Sequence, residues 1–337
     1  MGDTLKIGVV GVGAIGRTHI DRINNKLTGG RVVGCADYSA EFAKKIADQF
    51  GIKAFDSGEA LISDPEIDAV VVTTSDPFHE QYVTEAIKAG KHVFCEKPLS
   101  PTPEACKRIV DAEMAVGKHL VQVGFMRRYD PGYAQLKKMI DSKKYGAPLV
   151  LHCCHRNYDD GGVGWKTSMS VENSMIHEID VLRWLVGENY VKTDVVFPRS
   201  SKHAGAAKDP QIMHLTTESG IYIEVESFVF SHYGYDVRCE VVCEEGTLNL
   251  PEPPYAMVRC NDARVTPICH DWSERFPEAY NIEFQNWINA SKEDRVDGPT
   301  AWDGYVAQIT AGCASKARDT QTSVEIHIPE MPEFYKK

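Results

Sequence analysis

Long apolar runs are missing from this chain, which nowhere approaches the ~18 consecutive apolar residues that a membrane-spanning helix requires. An excess of positive charge is missing as well. With 37 Lys+Arg against 48 Asp+Glu and a net charge of −11, no nucleic-acid partner is expected, since phosphate binding needs a basic face, although a local basic pocket could still bind a phosphate. The acidity serves solubility instead. The opening "MGDTLKIGVVGVGAIG" lacks a basic n-region and a small-residue cleavage site, so a cytoplasmic protein without a secretory leader is expected. Repeats, low-complexity tracts and flexible linkers are absent too.

The ten cysteines lack regular spacing and read as reduced, small hydrophobes rather than a disulfide framework. One cluster, "HCCH" at 152–155, holds four metal-ligand types in a row. It lies in a strand-like stretch, "PLVLHCCHRN", where successive side chains point to opposite faces. His152 and Cys154 then face away from Cys153 and His155, the four cannot close on one zinc, and no metal site is expected. At 43% hydrophobic and 25% charged over 337 residues, the composition is that of an ordinary globular protein of about two domains.

The first half alternates strand and helix signals. "LKIGVV" runs into "GVGAIG" and then into the helical "RTHIDRINNKL", so Gly11, Gly13 and Gly16 form G-x-G-x-x-G in a strand-to-helix setting. Gly11 permits the tight turn, Gly13 admits a pyrophosphate close to the backbone, and Gly16 allows helix and strand to approach. The helix N-terminus offers free N–H groups and a positive dipole end to phosphates. "RVVGCA" ends at Asp37, about 20 residues beyond the glycines, where a carboxylate binds ribose hydroxyls. Tyr38 follows, with no Arg or Lys to receive a 2′-phosphate, so NAD is expected over NADP. "DAVVVTT", "KHVFCEK" and "HLVQVGF" continue the strands, with helical segments between them, as in a doubly wound parallel sheet. Ligands of such sheets bind beyond the carboxyl ends of the strands. Thr73, Thr74, Ser75, His79 and Glu96-Lys97-Pro98 lie there.

The second half reads differently. "IMHLTTESG", "IYIEVESFVF", "DVRCEVVCEEG" and "TLNLPEP" are strand-like with glycine turns, followed by two long helical patterns from residues 277 and 300. "VENSMIHEIDVLRW" at 171–184 reads as one helix. Asn173, His177, Asp180 and Trp184 stack along one side, and Met175, Ile179, Leu182 and Val186 form an apolar side.

The glycine turn, the acidic end of the second strand, "EKP" at 96–98 and "HEID" at 177–180 together resemble the glucose–fructose oxidoreductase / inositol dehydrogenase family. Later stretches resemble its bacterial inositol-oxidising branch: "GFMRRYDPGY", "HCCHRN", "YGYD", "LPEPP" and "GPTAWDGY". The resemblance covers essentially the whole chain. It implies a Rossmann domain over residues 1–124 and an α+β domain over 125–337, built on a large, open, mostly antiparallel sheet. It further implies NAD-dependent oxidation of a ring hydroxyl of myo- or scyllo-inositol to an inosose, in a homo-oligomer expected to be a tetramer.

Within that resemblance Lys97 steadies the developing alkoxide and His177 accepts the hydroxyl proton, the chemistry that alcohol oxidation by NAD demands. Asp180 is expected to orient the histidine ring or to pair with Arg183. Arg127, His155, Asn157, Asn173, His177 and Tyr235 line the polyol pocket, because a ring of hydroxyls needs many paired donors and acceptors. The expected cofactor contacts are Gly11, Gly13, Ala14, Ile15, Gly16, Asp37, Tyr38, Thr73, Thr74, Ser75, His79, Glu96, Lys97, Arg127 and Tyr280. One departure stands out: the family's inositol enzymes usually carry aspartate four residues before the histidine, where this chain has Asn173. Glu172 lies roughly 100° away round a helix and does not replace it. A related polyol or aldose dehydrogenase therefore stays open, as does a catalytically silent NAD-binding regulator. A glucose–fructose oxidoreductase proper is disfavoured by Asp37 and the missing export signal.

Overall fold

The computed structural model describes residues 4–158 and 164–336. The chain divides into two compact units. The first comprises Met1–Phe125, Tyr280–Gln308 and Glu330–Lys337; the second comprises Met126–Ala279 and Ile309–Pro329.

In the first unit six parallel strands, β1 (Leu5–Val10), β2 (Gly30–Ala36), β3 (Lys53–Ala54), β4 (Ala69–Val72), β5 (His92–Glu96) and β6 (Val121–Gly124), alternate with helices. These are α1 (Ala14–Lys26), α2 (Ala40–Phe50), α3 (Gly58–Ser63), α4 (His79–Lys88) and α5 (Pro103–Val116). The strand order is β3-β2-β1-β4-β5-β6, the doubly wound order whose direction reverses between β1 and β4. Strands β4, β5 and β6 are buried along their whole length, which explains the apolar stretches "AVVV" of β4 and "VFC" of β5. The helices stop and start on ordinary capping chemistry. The Ser39 and Thr102 hydroxyls accept the backbone N–H groups of Phe42 and Ala105, and Gly51 and Gly117 close α2 and α5 in the left-handed region.

The first unit is not contiguous along the chain. Phe284, Trp287 and Ile288 belong to the buried apolar cluster formed by Ile7, Val9, Val71 and Phe94. Apolar burial thus draws residues 280–308 into the first unit.

The second unit carries α6 (Pro131–Asp141), β7 (Pro148–Arg156), α7 (Ile176–Val186), β8 (Tyr190–Val196), β9 (Gln211–Thr217), β10 (Tyr222–Phe228), β11 (Asp236–Cys243) and β12 (Gly246–Asn249). A short hairpin, β13 (Val258–Cys260) and β14 (Ala263–Val265), and α8 (Trp272–Arg275) follow. Two long helices, α9 (Pro277–Lys292) and α10 (Ala301–Thr320), whose residues 280–292 and 301–308 belong to the first unit, precede β15 (Val324–Glu325). The seven-stranded sheet runs β12-β11-β7-β10-β9-β8-β15, antiparallel except for the β7–β10 pair. Its alternation is regular: Ile223 and Val225 are buried while Tyr222 is exposed. The outer face carries a row of alternating acids and histidines in register, Asp194, His214, Glu224, His152 and Glu240.

Two features differ from the sequence reading. Ser170–Met175 winds as a π-helix ahead of α7, a wider turn than the α-helix. A spacing of four therefore falls short of a full turn through this stretch. Asn173 is exposed, whereas His177 is buried. The face expected to be polar is also more buried than a surface face would be: His177 and Asp180 are 8% and 2% exposed, and Trp184 is half-buried.

Candidate active site

In the first unit the turn after β1 is built as the glycine pattern requires. Gly11 has φ +92°, and a Cβ there would lie 2.6 Å from the Thr73 carbonyl carbon and the Thr74 nitrogen. A Cβ on Gly16 would collide with the Gly11 carbonyl oxygen. Gly13 is different, because a Cβ there would meet nothing within 4 Å among the described residues. Its φ of −61° is ordinary, so packing within the chain does not demand glycine; close approach of a ligand would. Gly13 and Ala14 are exposed and Ile15 half-buried at the start of α1. Among the described residues no side chain caps this terminus, which leaves its N–H groups and dipole for an anion.

Asp37 stands at the end of β2, its Oδ2 accepting the Val12 N–H at 2.8 Å and its Oδ1 the Ser39 N–H at 3.2 Å. Tyr38 beside it is fully exposed. The Oγ1 of Thr74 is buried with no hydrogen-bond partner among the described residues. Open space at Gly13, an uncapped helix, an acid at the ribose position and an orphaned hydroxyl fit a dinucleotide.

Four expected cofactor residues are otherwise engaged. Thr73 is buried and donates to the Gly11 carbonyl at 2.6 Å, fastening β4 to the glycine turn. His79 places Nδ1 2.8 Å from the Pro98 carbonyl and Nε2 3.0 Å from that of Thr74, which ties two loops together. Tyr280 packs its ring over the Arg22 guanidinium at 4.8 Å. Glu96 is buried and both of its oxygens turn inward, Oε1 to His19 at 2.8 Å and Oε2 to the Lys97 N–H at 3.2 Å. Burial alone would raise the Glu96 carboxyl, but the His19 hydrogen bond and nearby Lys97 outweigh it and hold it below the ordinary range. Ser75 is exposed and Lys97 half-buried, with a cis bond from Lys97 to Pro98.

The second unit gathers a polar cluster under its sheet. Arg127 forms a buried ion pair with Glu178, and its Nη2 lies 3.1 Å from His155 Nδ1. The other Glu178 oxygen lies 3.1 Å from the same Nδ1, and the Tyr235 hydroxyl lies 3.2 Å from His155 Nε2. His177 follows on α7, its ring centre 6.3 Å from that of His155. Asn157 leaves Oδ1 buried with no hydrogen-bond partner among the described residues. Four expected pocket residues, Arg127, His155, His177 and Tyr235, are thus brought together and buried. Arg127, expected also at the cofactor, is engaged here by Glu178 and His155. Asp180 takes Arg128 bidentately, at 2.9 and 2.5 Å. Glu172 pairs with Arg318 at 3.2 Å.

Sequence reasoning missed Glu178, yet a signal was present. Val171, Met175, Glu178, Leu182 and Leu185 follow the four-three helical spacing, so an acid sits in an apolar stripe, where it must be paired. Within "HCCH", His155 faces this cluster, while Cys153 lies against Cys239 and His152 is exposed toward Glu224. A groove of about 800 Å³ also opens in this unit, lined by Arg156, Glu226, Arg238 and Pro251 among others. Neither His177 nor Asn157 lines it.

Comparison with known proteins covers the chain end to end. Residues 5–125 match an oxidoreductase family domain with an NAD-binding Rossmann fold, and residues 137–326 match the C-terminal alpha/beta domain of the same family. Inositol 2-dehydrogenase of Klebsiella pneumoniae is 48% identical over 337 residues, 99% of this chain and 100% of that protein. The Pseudomonas fluorescens enzyme of the same name is 48% identical over 98% of this chain and 99% of its own length. The crystal structure of myo-inositol dehydrogenase from Lactobacillus casei, in complex with NAD(H) and myo-inositol, superposes with a TM-score of 0.95. Its identity is 40%, over 98% of this chain and 99% of that one. The chain belongs to the GFO/IDH/MocA family of NAD-binding oxidoreductases.

Proposed function

We propose that this protein is a cytoplasmic, NAD-dependent inositol 2-dehydrogenase of inositol catabolism, which oxidises a ring secondary alcohol of myo- or scyllo-inositol to an inosose. The end-to-end similarity to a myo-inositol dehydrogenase, at 40% identity, carries this reading. The glycine turn, the α1 terminus, Asp37 and Thr74 would hold NAD, which when bound accepts the hydride from the carbinol carbon. The chain's own residues handle the oxygen and its proton. Lys97 supplies a cation to the developing alkoxide, and the His177 imidazole takes the hydroxyl proton. His155, Tyr235, Arg127 and Asn157 supply the donors and acceptors that a ring of hydroxyls demands, and Asn173 adds an amide. We further propose a homotetramer, with the open outer face of the seven-stranded sheet between copies; light scattering of the purified protein checks this.

Nicotinamide absorbance with both dinucleotides and a panel of inositols, glucose and xylose tests the activity. Turnover confined to inositols with NAD is expected, and Lys97→Ala should lower kcat roughly a hundredfold or more. Asn173 favours one second reading, a dehydrogenase of another cyclic polyol or aldose, and faster turnover of glucose or xylose would select it. NAD binding without turnover of any polyol would make the protein a regulator.

A further inference from the structure

Behind the Glu96-Lys97-Pro98 turn lies a buried chain of polar groups that the chemistry above does not use. Arg22 on α1 donates from Nη1 to His19 Nδ1 at 2.6 Å. His19 Nε2 meets Glu96 Oε1 at 2.8 Å, and Glu96 Oε2 accepts the Lys97 N–H at 3.2 Å. His19, Arg22 and Glu96 are 0%, 5% and 7% exposed.

The order of donors fixes the state of the ring. Arginine can only donate, so Nδ1 must accept and Nε2 must carry the hydrogen. His19 is therefore neutral and held in a single tautomer. Burial lowers its pKa, outweighing Glu96, which favours the proton. The groups facing this chain are Glu96 from β5 and Lys97 beside it, Arg22 and Asp21 from α1, and Tyr280 and Glu283 from α9; Asp21, Tyr280 and Glu283 act on Arg22, and Lys97 acts on Glu96. Phe94 and Phe284 close round the ring at 6.3 and 4.4 Å. On the other side of the turn, His79 Nδ1 holds the Pro98 carbonyl at 2.8 Å.

We propose that Arg22 and His19 are positioning residues for Lys97, fixing through the Glu96 carboxylate the turn from which the lysine side chain projects. Filling a core does not call for this arrangement. Burying a cation and an anion on either side of a neutral ring costs more than an apolar packing of the same volume. The chain of bonds ends on the backbone of the residue that carries the catalytic cation. The proposal rests on Lys97 being that cation.

Steady-state kinetics of the full-length protein with NAD and myo-inositol test it, using Lys97→Ala, His19→Leu, His19→Gln and Glu96→Gln. Misplacing the lysine should lower kcat in His19→Leu roughly ten- to a hundredfold, with the KM for inositol and the NAD affinity unchanged. His19→Gln should recover most of the rate, because its amide nitrogen can replace Nε2 as donor to Glu96. Glu96→Gln removes a negative neighbour of Lys97. It should move the alkaline limb of kcat/KM toward lower pH, on the order of one unit. In the Lys97→Ala background His19→Leu should lower the residual rate no further, since both act through one group.

Near-normal turnover of Lys97→Ala would overturn the assignment of Lys97 itself. An inactive Lys97→Ala beside a full-rate His19→Leu overturns the relay alone, as does a further fall in the double variant. If His19→Leu does not fold, an alkaline limb unmoved in Glu96→Gln overturns it instead.

Discussion

Each unit buries an arginine, a histidine and a glutamate, and the two trios are wired differently. In the first unit the histidine is the middle link. His19 accepts from Arg22 and donates to Glu96, so its hydrogen has one place to be. In the second unit the carboxylate is the hub. Glu178 holds Arg127 on one oxygen and His155 on the other, while His155 Nδ1 faces a donor and an acceptor together. His155 Nε2 meets the Tyr235 hydroxyl, which can donate or accept. The open chain suits a histidine that holds something still. The closed cluster gives its histidine several partners at once, a donor and an acceptor at Nδ1 and a hydroxyl at Nε2.

The largest test of that contrast is the loss of each arginine. Arg127→Met leaves the Glu178 carboxylate buried without its cation and should cost about 3–5 kcal/mol of stability, read by chemical denaturation. Arg22→Met should cost less, because the neutral His19 ring separates Arg22 from Glu96. Equal losses would erase the distinction. A second test separates the units by function. Asp37→Ser with Tyr38→Arg should shift the kcat/KM ratio toward NADP, since like charges a few ångströms apart cost on the order of a few kcal/mol in a partly desolvated site. The ranking of polyols should not move.

Asn173→Asp is the converse: polyol ranking should change and dinucleotide preference should not. A carboxylate near His177 favours the imidazolium. The acidic limb of kcat/KM should therefore rise by on the order of one pH unit, and an unmoved limb would place Asn173 outside the site. The smallest effect is on stability against pH. Burial above all lowers the His19 pKa from its ordinary 6.5, so below that pH the unfolded chain binds a proton that the folded chain refuses. The contribution is intact above pH 6.5 and is lost as the pH falls, by at most about 1.4 kcal/mol per unit. His19→Gln should flatten that slope in denaturation curves taken between pH 7 and 5.

Much of the first unit could be read directly from the sequence. Gly11, Gly13, Gly16 and Asp37 act over short stretches, and fully buried strands announce themselves as apolar runs. The second unit hid more. A π-turn and an α-turn draw on the same residues, so nothing in "SVENSM" marks the wider winding ahead of α7. The buried trios escaped because their members are distant in sequence: His19 meets Glu96 across 77 residues, and Arg127 meets Glu178 across 51. A lone buried acid in an apolar stripe advertises that it has a partner. It does not say which residue that partner is.

The side chains of α9 that complete the first unit have a consequence in time. Phe284, Trp287 and Ile288 finish a core begun by Ile7, Val9 and Phe94, yet they are synthesised long afterwards. At ~5–20 residues per second, the interval is on the order of ten seconds. Through that interval the nascent parallel sheet keeps an apolar face uncovered, the condition in which growing chains aggregate or engage chaperones. A fragment ending near residue 125 would make that condition permanent. The half of the protein made first waits for a helix made near the end.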